Sequence, residues 1–285
     1  MQGQTVSIVA QAIRFIEDNL DEKTNLDAVA EALHYSKFYL HRLFTKTVGM
    51  TIHEYTQRRR LTEAAKRLVF SKRPIMEIAL AGGYESRQAF TDAFKAMYKL
   101  APAEFREANV FYPLQLEIHL KEEPIKMEFG VENICFAGFS DVNDWLELVR
   151  LTVDGFPCLN EEQYYAALEK AISEKRALML RDDDMAVGVM IYSTDTCSID
   201  FLAVHPQYRN MGVARLFVDK LANGLLSGKD ISITTYRKGD RADTGYRDEL
   251  SRMGFEEREL LVEFGYPTQR FVLANKQEGN DSYAE

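Results

Sequence analysis

Residues 74–106 of the chain read PIMEIALAGGYESRQAFTDAFKAMYKLAPAEFR and have the form of two short helices joined by a glycine turn. The apolar run 75–81 stops at Gly82-Gly83, and the hydroxyl of Ser86 can cap the first amides of a new helix. Apolar residues then recur at helical spacing and predict one buried face: Ala89, Phe90, Ala93, Phe94 and Met97. The opposite face carries Arg87, Gln88, Thr91, Asp92 and Lys95. This pattern indicates a helix-turn-helix unit, although charged outer faces are also common in ordinary helical domains.

The same pattern occurs once before in the chain. Ser36 opens a predicted helix that Gly49 ends, with a buried face of Tyr39, Leu40, Leu43 and Phe44. Ser36, Leu40, Leu43 and Phe44 each precede Ser86, Phe90, Ala93 and Phe94 by 50 positions, which reveals an internal repeat. Residues 52–70 predict a helix of roughly 30 Å between the two copies, at about 1.5 Å per residue. One DNA turn is about 34 Å, so the two copies are predicted to reach successive major grooves.

Charge separates the two halves of the chain. The protein of 285 residues has a net charge of -9, which argues against nucleic acid at first sight. Residues 1–110 nevertheless carry 16 Lys or Arg and 13 Asp or Glu, whereas residues 111–285 carry 19 and 31. Residues 36–107 carry 14 basic and 7 acidic side chains. Positive charge is thus concentrated where the repeat lies, as a nucleic-acid-binding surface requires.

Residues 6–107 resemble the DNA-binding domain of the AraC family of bacterial transcription regulators. The resemblance includes Ser36, Tyr39-Leu40, Arg42, Phe44, Gly49, Tyr55, Arg60-Leu61, Ala64, Ile78-Ala79, Gly83-Tyr84, Ser86, Phe90, Phe94-Lys95, Pro102 and Phe105-Arg106. It implies an all-α double helix-turn-helix domain that binds double-stranded operator DNA. The side chains expected to face DNA are Lys37, Phe38, His41, Arg42 and Thr45 in the first copy, and Arg87, Gln88, Thr91 and Lys95 in the second. Lys99 stands where the family usually has glycine, so the second of these helices is expected to end differently.

The second half alternates strand-like and helix-like segments. An alternating apolar pattern at 114–120 predicts an extended linker strand within a linker at 108–126. Beyond it, strands are predicted at 134–139, 177–180, 185–192, 198–204, 231–236, 260–264 and 270–274, and helices at 142–153, 161–173 and 213–226. These elements predict an α/β (α+β) domain built around one mixed central sheet. We place the domains at 1–107 and 127–275, with a disordered tail at 276–285.

The segment HPQYRNMGVA, residues 205–214, lies between a predicted strand and a predicted helix. Gly212 allows close approach of a ligand, and amides at a helix N-terminus bind phosphate. With the strand order, the VHPQYR lead-in and Met253-Gly254-Phe255, this half resembles the GNAT superfamily of acyl-CoA-dependent N-acetyltransferases. The resemblance covers residues 127–275. It implies acetyl-CoA as cofactor, held by Leu202, Ala203 and Val204 along the pantetheine arm and by Arg209, Asn210, Met211, Gly212, Val213, Ala214 and Arg215 at the pyrophosphate.

The catalytic residues are less clearly indicated. The family usually has an acid tyrosine four residues before the glycine of the Gly-Phe pair, and Leu250 occupies that position here. Tyr246, one helical turn earlier, and Tyr236 are the candidates for the acid, and Asp200 is the candidate base. The acceptor is expected to be a small amine or a peptide, such as an antibiotic, a polyamine or a protein lysine. A sensor that keeps the pocket without turnover is the alternative.

The remaining composition excludes several protein classes. Cys135, Cys158 and Cys197 are odd in number and lack the spacing of a disulfide framework or a zinc site, so no metal is expected. Charged residues interrupt the first apolar period, and no apolar run reaches the ~18 residues of a membrane span. We therefore expect a cytoplasmic regulator without membrane contact, as a monomer or homodimer.

Overall fold

Seven helices form the N-terminal half in a computed structural model that describes residues 2–22, 24–121, 128–152, 161–263 and 265–275. The helices are α1 Gln2–Asp18, α2 Leu26–Ala32, α3 Lys37–Val48, α4 Ile52–Phe70, α5 Ile75–Ala81, α6 Arg87–Tyr98 and α7 Pro102–Ala108. The pairs α2–α3 and α5–α6 are the two copies of the repeat. We call α3 and α6 the reading helices.

The two reading helices begin and end in the same way. The hydroxyls of Ser36 and Ser86 accept hydrogen bonds from the third amide of their helices, at 3.3 and 3.1 Å. Gly49 and Lys99 end the helices in the left-handed conformation, with φ of 82° and 64°. The expectation that Lys99 changes the end of α6 is therefore wrong. Lys99 adopts the glycine-like conformation instead, which is uncommon for a residue with a Cβ.

The helices enclose two apolar cores joined by α4. One core packs α1, α2 and α3 against the start of α4 and contains Ile13, Phe44 and Tyr55, whereas the other contains Leu68, Phe94 and further residues of α5–α7. Phe90, Ala93, Phe94 and Met97 are buried as predicted. Two predicted core residues are exposed: Tyr39 and Ala89 lie on the outer faces, at the margin of each apolar stripe.

The predicted strand at 114–120 is not formed. Residues 110–121 run as irregular chain along the helices, because their backbone bonds to side chains of α4 rather than to a sheet. The hydroxyl of Thr62 accepts from the amides of Leu114 and Gln115 at 3.0 and 3.1 Å, and Arg59 donates to the carbonyl of Gln115. Leu114 and Ile118 are buried in the two helical cores.

The C-terminal half is a seven-stranded mixed sheet with helices on its faces. Its strands are β1 Cys135–Phe136, β2 Ala177–Asp182, β3 Met185–Ser193, β4 Ser198–Val204, β5 Ile231–Tyr236, β6 Glu256–Glu263 and β7 Tyr266–Leu273, in the order β1-β2-β3-β4-β5-β7-β6. Its helices are α8 Val142–Thr152, α9 Glu161–Ser173, α10 Val213–Lys220 and α11 Tyr246–Arg252. The β4–β5 pair is parallel and the other pairs are antiparallel. The predicted fold class is confirmed.

Several predicted bounds change. The strand predicted at 134–139 is reduced to Cys135–Phe136, since a 3₁₀ turn follows at Phe139–Asp141. The helix predicted at 213–226 ends as a regular α-helix at Lys220 and continues as the π-turn Leu221–Leu225. The last two strands begin earlier than predicted and form a long hairpin. The ends of the helix at 142–153 and of the strand at 260–264 lie outside the described residues, as does the tail at 276–285.

Strands β4 and β5 separate soon after they meet. They pair only at Ser198–Ser232 and Ile199–Ile233. Beyond Ile199 the edge of β4 that faces β5 has no partner strand in the described sheet, so residues 200–204 border a wedge between the strands. This wedge, and the 3₁₀ turn and α10 that follow β4, position the candidate ligand site.

Candidate functional site

The outer faces of the reading helices carry the predicted DNA-facing side chains. Lys37, Phe38, His41 and Arg42 on α3 are exposed, and so are Arg87, Gln88 and Lys95 on α6. Phe38 is 80% exposed, and the ammonium of Lys37 lies 5.8 Å from the centre of its ring. Thr45 and Thr91 are only half-exposed, and the Thr91 hydroxyl donates to the carbonyl of Arg87 at 2.8 Å. Both faces are thus accessible, with the two threonines set back from the surface.

The loop after β4 has the form that phosphate binding requires. A 3₁₀ turn at Pro206–Met211 ends at Gly212, whose φ of 74° opens α10. A Cβ at Gly212 would meet no atom within 4 Å, so the approach to the first amides of α10 is open. No side chain caps this helix end. These amides and the positive end of the helix are therefore available to an anion.

Two side chains of the loop, those of Arg209 and Asn210, point toward the helical half. Asn210 Nδ2 donates to the carbonyl of Lys46 in α3 at 2.8 Å. Arg209 lies over Gly49, since a Cβ there would be 3.2 Å from Cδ of Arg209. Met211 is half-buried, Val213 and Ala214 are buried, and Arg215 bonds to Asp219 and to the carbonyl of Met253.

Hydrogen bonds of buried polar side chains hold the 3₁₀ turn of the loop in place. Tyr208 donates to Asp182 at 2.6 Å, and Nδ1 of His205 accepts from the amide of Gln207 at 3.3 Å. Burial lowers the pKa of His205 to about 4, and the nearby positive charge of Arg209 adds to this. His205 is therefore neutral at neutral pH and acts as a cap of the 3₁₀ turn.

Two adjoining cavities lie along the open edge of β4. The larger, of about 690 Å³, fills the wedge between β4 and β5, and the smaller, of about 150 Å³, lies between β4, the loop and α3. Leu202, Ala203 and Tyr246 line both. The larger volume is in the ~300–1,000 Å³ range of small-molecule sites. The predicted strand edge, the loop and the candidate catalytic residues are thus brought together at one cleft.

The three candidate catalytic residues all line the larger cavity, in different surroundings. The Tyr246 hydroxyl donates to the carbonyl of Leu202, on the edge expected to pair with pantetheine. Asp200 is exposed and accepts from Ser198 at 2.6 Å. Tyr236 stacks on Tyr266 with ring centroids 6.0 Å apart. Leu250, at the family's tyrosine position, is fully buried in the core below α11.

Sequence reasoning missed the residues that join this cleft to the helical half. Lys99 Nζ lies 2.6 Å from Asp240 and 5.4 and 5.8 Å from the rings of Tyr236 and Tyr266. Arg58 donates to the carbonyl of Ala242 at 2.7 Å, and Ala242 is buried in the core of α5–α7. Glu249 and Arg252 join Arg209 around the smaller cavity. Of these residues, the sequence singles out only Lys99, because the family usually has glycine at that position, and it does not indicate the partner of Lys99.

The described residues contain neither a candidate metal site nor a candidate membrane-spanning helix. In that part of the chain, no three His, Cys, Asp or Glu side chains are grouped to hold a metal ion. The described helices include none that is long and apolar enough to cross a membrane.

Comparisons with known proteins match two separate parts of the chain. Residues 29–108 match the helix-turn-helix domain family, and residues 145–231 match the acetyltransferase (GNAT) family. The chain is 41% identical to the transposon Tn10 TetD protein of Escherichia coli over 37% of this chain and 76% of that protein. It is 38% identical to the HTH-type transcriptional activator AarP of Providencia stuartii over 37% of this chain and 78% of the other.

A solved structure of a GNAT-family acetyltransferase from Bacillus cereus is also similar to the C-terminal half. It is 16% identical, covers 49% of this chain and 94% of its own, and has a TM-score of 0.38. The N-terminal repeat, the helix-turn-helix match and the identity to TetD and AarP agree with each other. The chain belongs to the AraC-type family of helix-turn-helix transcription regulators and carries a GNAT acetyltransferase-family domain at its C-terminus.

Proposed function

We propose that this regulator binds operator DNA through α3 and α6, and that its GNAT domain binds acetyl-CoA together with a small amine. The observation that carries the second part is the continuity of the cleft, in which an open strand edge leads from a 690 Å³ cavity to an uncapped helix end. Occupancy of the cleft would then change operator affinity, provided the ligands bind the two DNA-binding states differently.

The residues of the cleft fit acetyl-CoA. Residues 202–204 offer the free edge of β4, Gly212 leaves the loop open to a phosphate, and the amides of Val213, Ala214 and Arg215 lie at the positive end of α10. Arg209, Asn210 and Met211 complete the loop. The carbonyl of Leu202 already accepts from the Tyr246 hydroxyl, so a ligand amide would take the second lone pair of this oxygen or displace the tyrosine.

Acetyl-CoA supplies an acetyl thioester, which a neutral amine converts into an amide with release of the thiol. Asp200, exposed at the cavity wall, is placed to accept the proton of an incoming ammonium. Tyr246 and Tyr236 place hydroxyl donors at the same cavity. The carboxylates of Asp200 and Glu263 and the tyrosine rings suit an amine that arrives as a cation.

A sensor without turnover is a second candidate function. Leu250 favours this sensor function, since a fully buried leucine stands at the position where the family usually has its acid tyrosine. Thiol release would separate the two candidates, measured with acetyl-CoA over a panel of small amines. Release that depends on the amine and is reduced at least about 10-fold by Tyr246→Phe would support the enzyme. Binding of acetyl-CoA without release would support the sensor.

Calorimetry with acetyl-CoA tests the ligand site. Gly212→Asp places a carboxylate where we assign the pyrophosphate, so we expect Kd to rise at least about 10-fold from charge repulsion. Gly228→Asp is the matched control, because Gly228 also has positive φ with nothing within 4 Å and lies outside the cleft. No binding to the unmodified chain at millimolar acetyl-CoA, or equal Kd values for both variants, would refute the assignment.

Operator binding tests the reading faces. Arg42→Ala and Arg87→Ala each remove an exposed guanidinium that can bond to a base or a phosphate, so we expect about 10-fold weaker operator binding. Acetyl-CoA affinity should stay unchanged in both. Lys229→Ala, which removes an exposed charge in the second domain, is the control. Gel shifts that are the same for the arginine variants and the control would contradict the assignment.

A further inference from the structure

The second domain contacts both reading helices at the same place, their carboxyl ends. Gly49 ends α3 and Lys99 ends α6, and the two residues are equivalent positions of the repeat, 50 apart. Each lies against a different part of the second domain. These two contacts, together with α4, therefore set how the reading helices are placed relative to each other and to the cleft.

The first contact joins α3 to the loop at 209–215. Asn210 donates to the carbonyl of Lys46, and the Arg209 side chain covers Gly49. The last carbonyls of a helix have no partner within it and carry partial negative charge. Asn210 supplies a hydrogen-bond donor, and Arg209 a positive charge, to the carboxyl end of α3. The loop therefore stabilises α3 in its observed position against the second domain.

The second contact joins α6 to the loop between β5 and α11. The Lys99 ammonium pairs with Asp240 at 2.6 Å, with side chains 16% and 9% exposed, and lies near two tyrosine rings. The same loop inserts Ala242 into the helical core and receives the hydrogen bond of Arg58. The contact between α6 and this loop is thus stabilised by apolar packing, a shielded ion pair and a buried hydrogen bond.

Only the α3 contact uses residues that also belong to the proposed ligand site. The α3 contact uses Arg209 and Asn210, which belong to the loop that the proposed function assigns to the pyrophosphate of acetyl-CoA. A pyrophosphate there would bring negative charge beside the negative end of α3 and would need the same loop. The smaller cavity is lined by Gly49 as well as by Arg209 and Ala214, so both partners approach one space. The α6 contact contains no residue of this loop.

We propose that α3 and the pyrophosphate of an acyl-CoA compete for the loop at 209–215, so that acyl-CoA binding releases α3 while α6 stays attached through Lys99. The inference rests on the proposed binding of acetyl-CoA. Because the coupling is reciprocal, weakening the α3 contact must strengthen acyl-CoA binding.

Calorimetry with acetyl-CoA on variants of the whole chain tests this competition. Asn210→Ala removes the side-chain donor to Lys46 and keeps the backbone amides through which the loop would bind phosphate. Gly49→Ala places a Cβ 3.2 Å from Cδ of Arg209, which has to shift by a few tenths of an ångström. We expect Asn210→Ala to bind acetyl-CoA about 5-fold more tightly, the change equivalent to one net hydrogen bond. Gly49→Ala should also bind acetyl-CoA more tightly than the unmodified chain. Gly83→Ala is the control, since Gly83 also has positive φ but its Cβ would meet only Arg60, at 3.6 Å.

The outcomes separate this inference from the proposed function. Tighter binding in Asn210→Ala and Gly49→Ala, with Gly83→Ala matching the unmodified chain, would support the competition. An acetyl-CoA Kd in either test variant that equals or exceeds that of the unmodified chain would overturn it, even though acetyl-CoA binds. Failure of the unmodified chain to bind acetyl-CoA would overturn the proposed function, and this inference with it. Because Asn210 is exposed, its variant keeps the test valid if Gly49→Ala folds poorly.

Discussion

The buried side chain of His205 makes the stability of the loop at 209–215 sensitive to pH. Its folded-state pKa is about 4, against 6.5 when unperturbed, because burial and Arg209 disfavour the cation. A histidine with a lowered pKa contributes its full stability above about pH 6.5, and this is lost as the pH falls toward 4. Acid therefore weakens the support of the loop at 209–215 before most carboxylates are protonated.

His205→Asn tests this account, because asparagine keeps an acceptor for the 3₁₀ turn and does not titrate. Between pH 7.5 and pH 5 the unmodified protein should lose about 2 kcal/mol more free energy of unfolding than the variant, from the pKa difference. Urea unfolding at the two pH values measures this, and carboxylates titrate alike in both proteins. The same loss in both would show that His205 is not buried as a neutral group.

At the scale of elements, α1 is fastened to α4 by a shielded ion pair. Arg59 donates to Glu17 at 2.7 and 2.9 Å, and Tyr55 donates to the same carboxylate at 2.7 Å. Arg59 also bonds to the carbonyl of Gln115, so the helix pair and the segment at 110–121 share one cation. These contacts explain why that segment lies on the helices rather than in a sheet.

Removal of Glu17 should therefore destabilise the helical half. Glu17→Ala leaves the buried Arg59 guanidinium with only the more distant carboxylate of Glu63, at 3.4 Å, and removes the acceptor of Tyr55. We therefore expect the free energy of unfolding to fall by about 3 kcal/mol. Glu31→Ala, at an exposed position of α2, should change it by less than about 0.5 kcal/mol. Chemical denaturation of the two variants measures the difference. Equal effects would mean that the Glu17 pair is solvated and unimportant.

Local chemistry predicted the elements well but not the contacts between them. Ser36, Ser86 and Gly49 mark helix ends through capping bonds formed within a few residues, so the bounds of α2 to α6 could be found from the sequence. Lys99 is different, because its partner Asp240 lies 141 positions away and no local pattern indicates it. The cleft was predicted through the loop and strand. The seating of that loop on α3 depends on tertiary packing, which periodicity does not contain.

For the whole molecule, the two domains are in direct contact, and Gly49, which ends α3, lines the smaller cavity of the proposed ligand cleft. The loop at 209–215 contacts α3, and the loop after β5 contacts α4 and α6. A ligand that moves one contact and leaves the other changes the relative placement of α3 and α6. DNA binding then has to restore that placement, which costs affinity.

Operator affinity with and without acetyl-CoA tests the central claim most directly. The operator duplex is selected from random DNA with the whole chain, and its Kd is measured by fluorescence anisotropy at fixed salt, since salt changes such affinities strongly. We predict that saturating acetyl-CoA raises the operator Kd at least about 5-fold, within the usual range of coupling energies. An operator Kd that stays the same or falls when acetyl-CoA is bound would contradict the account.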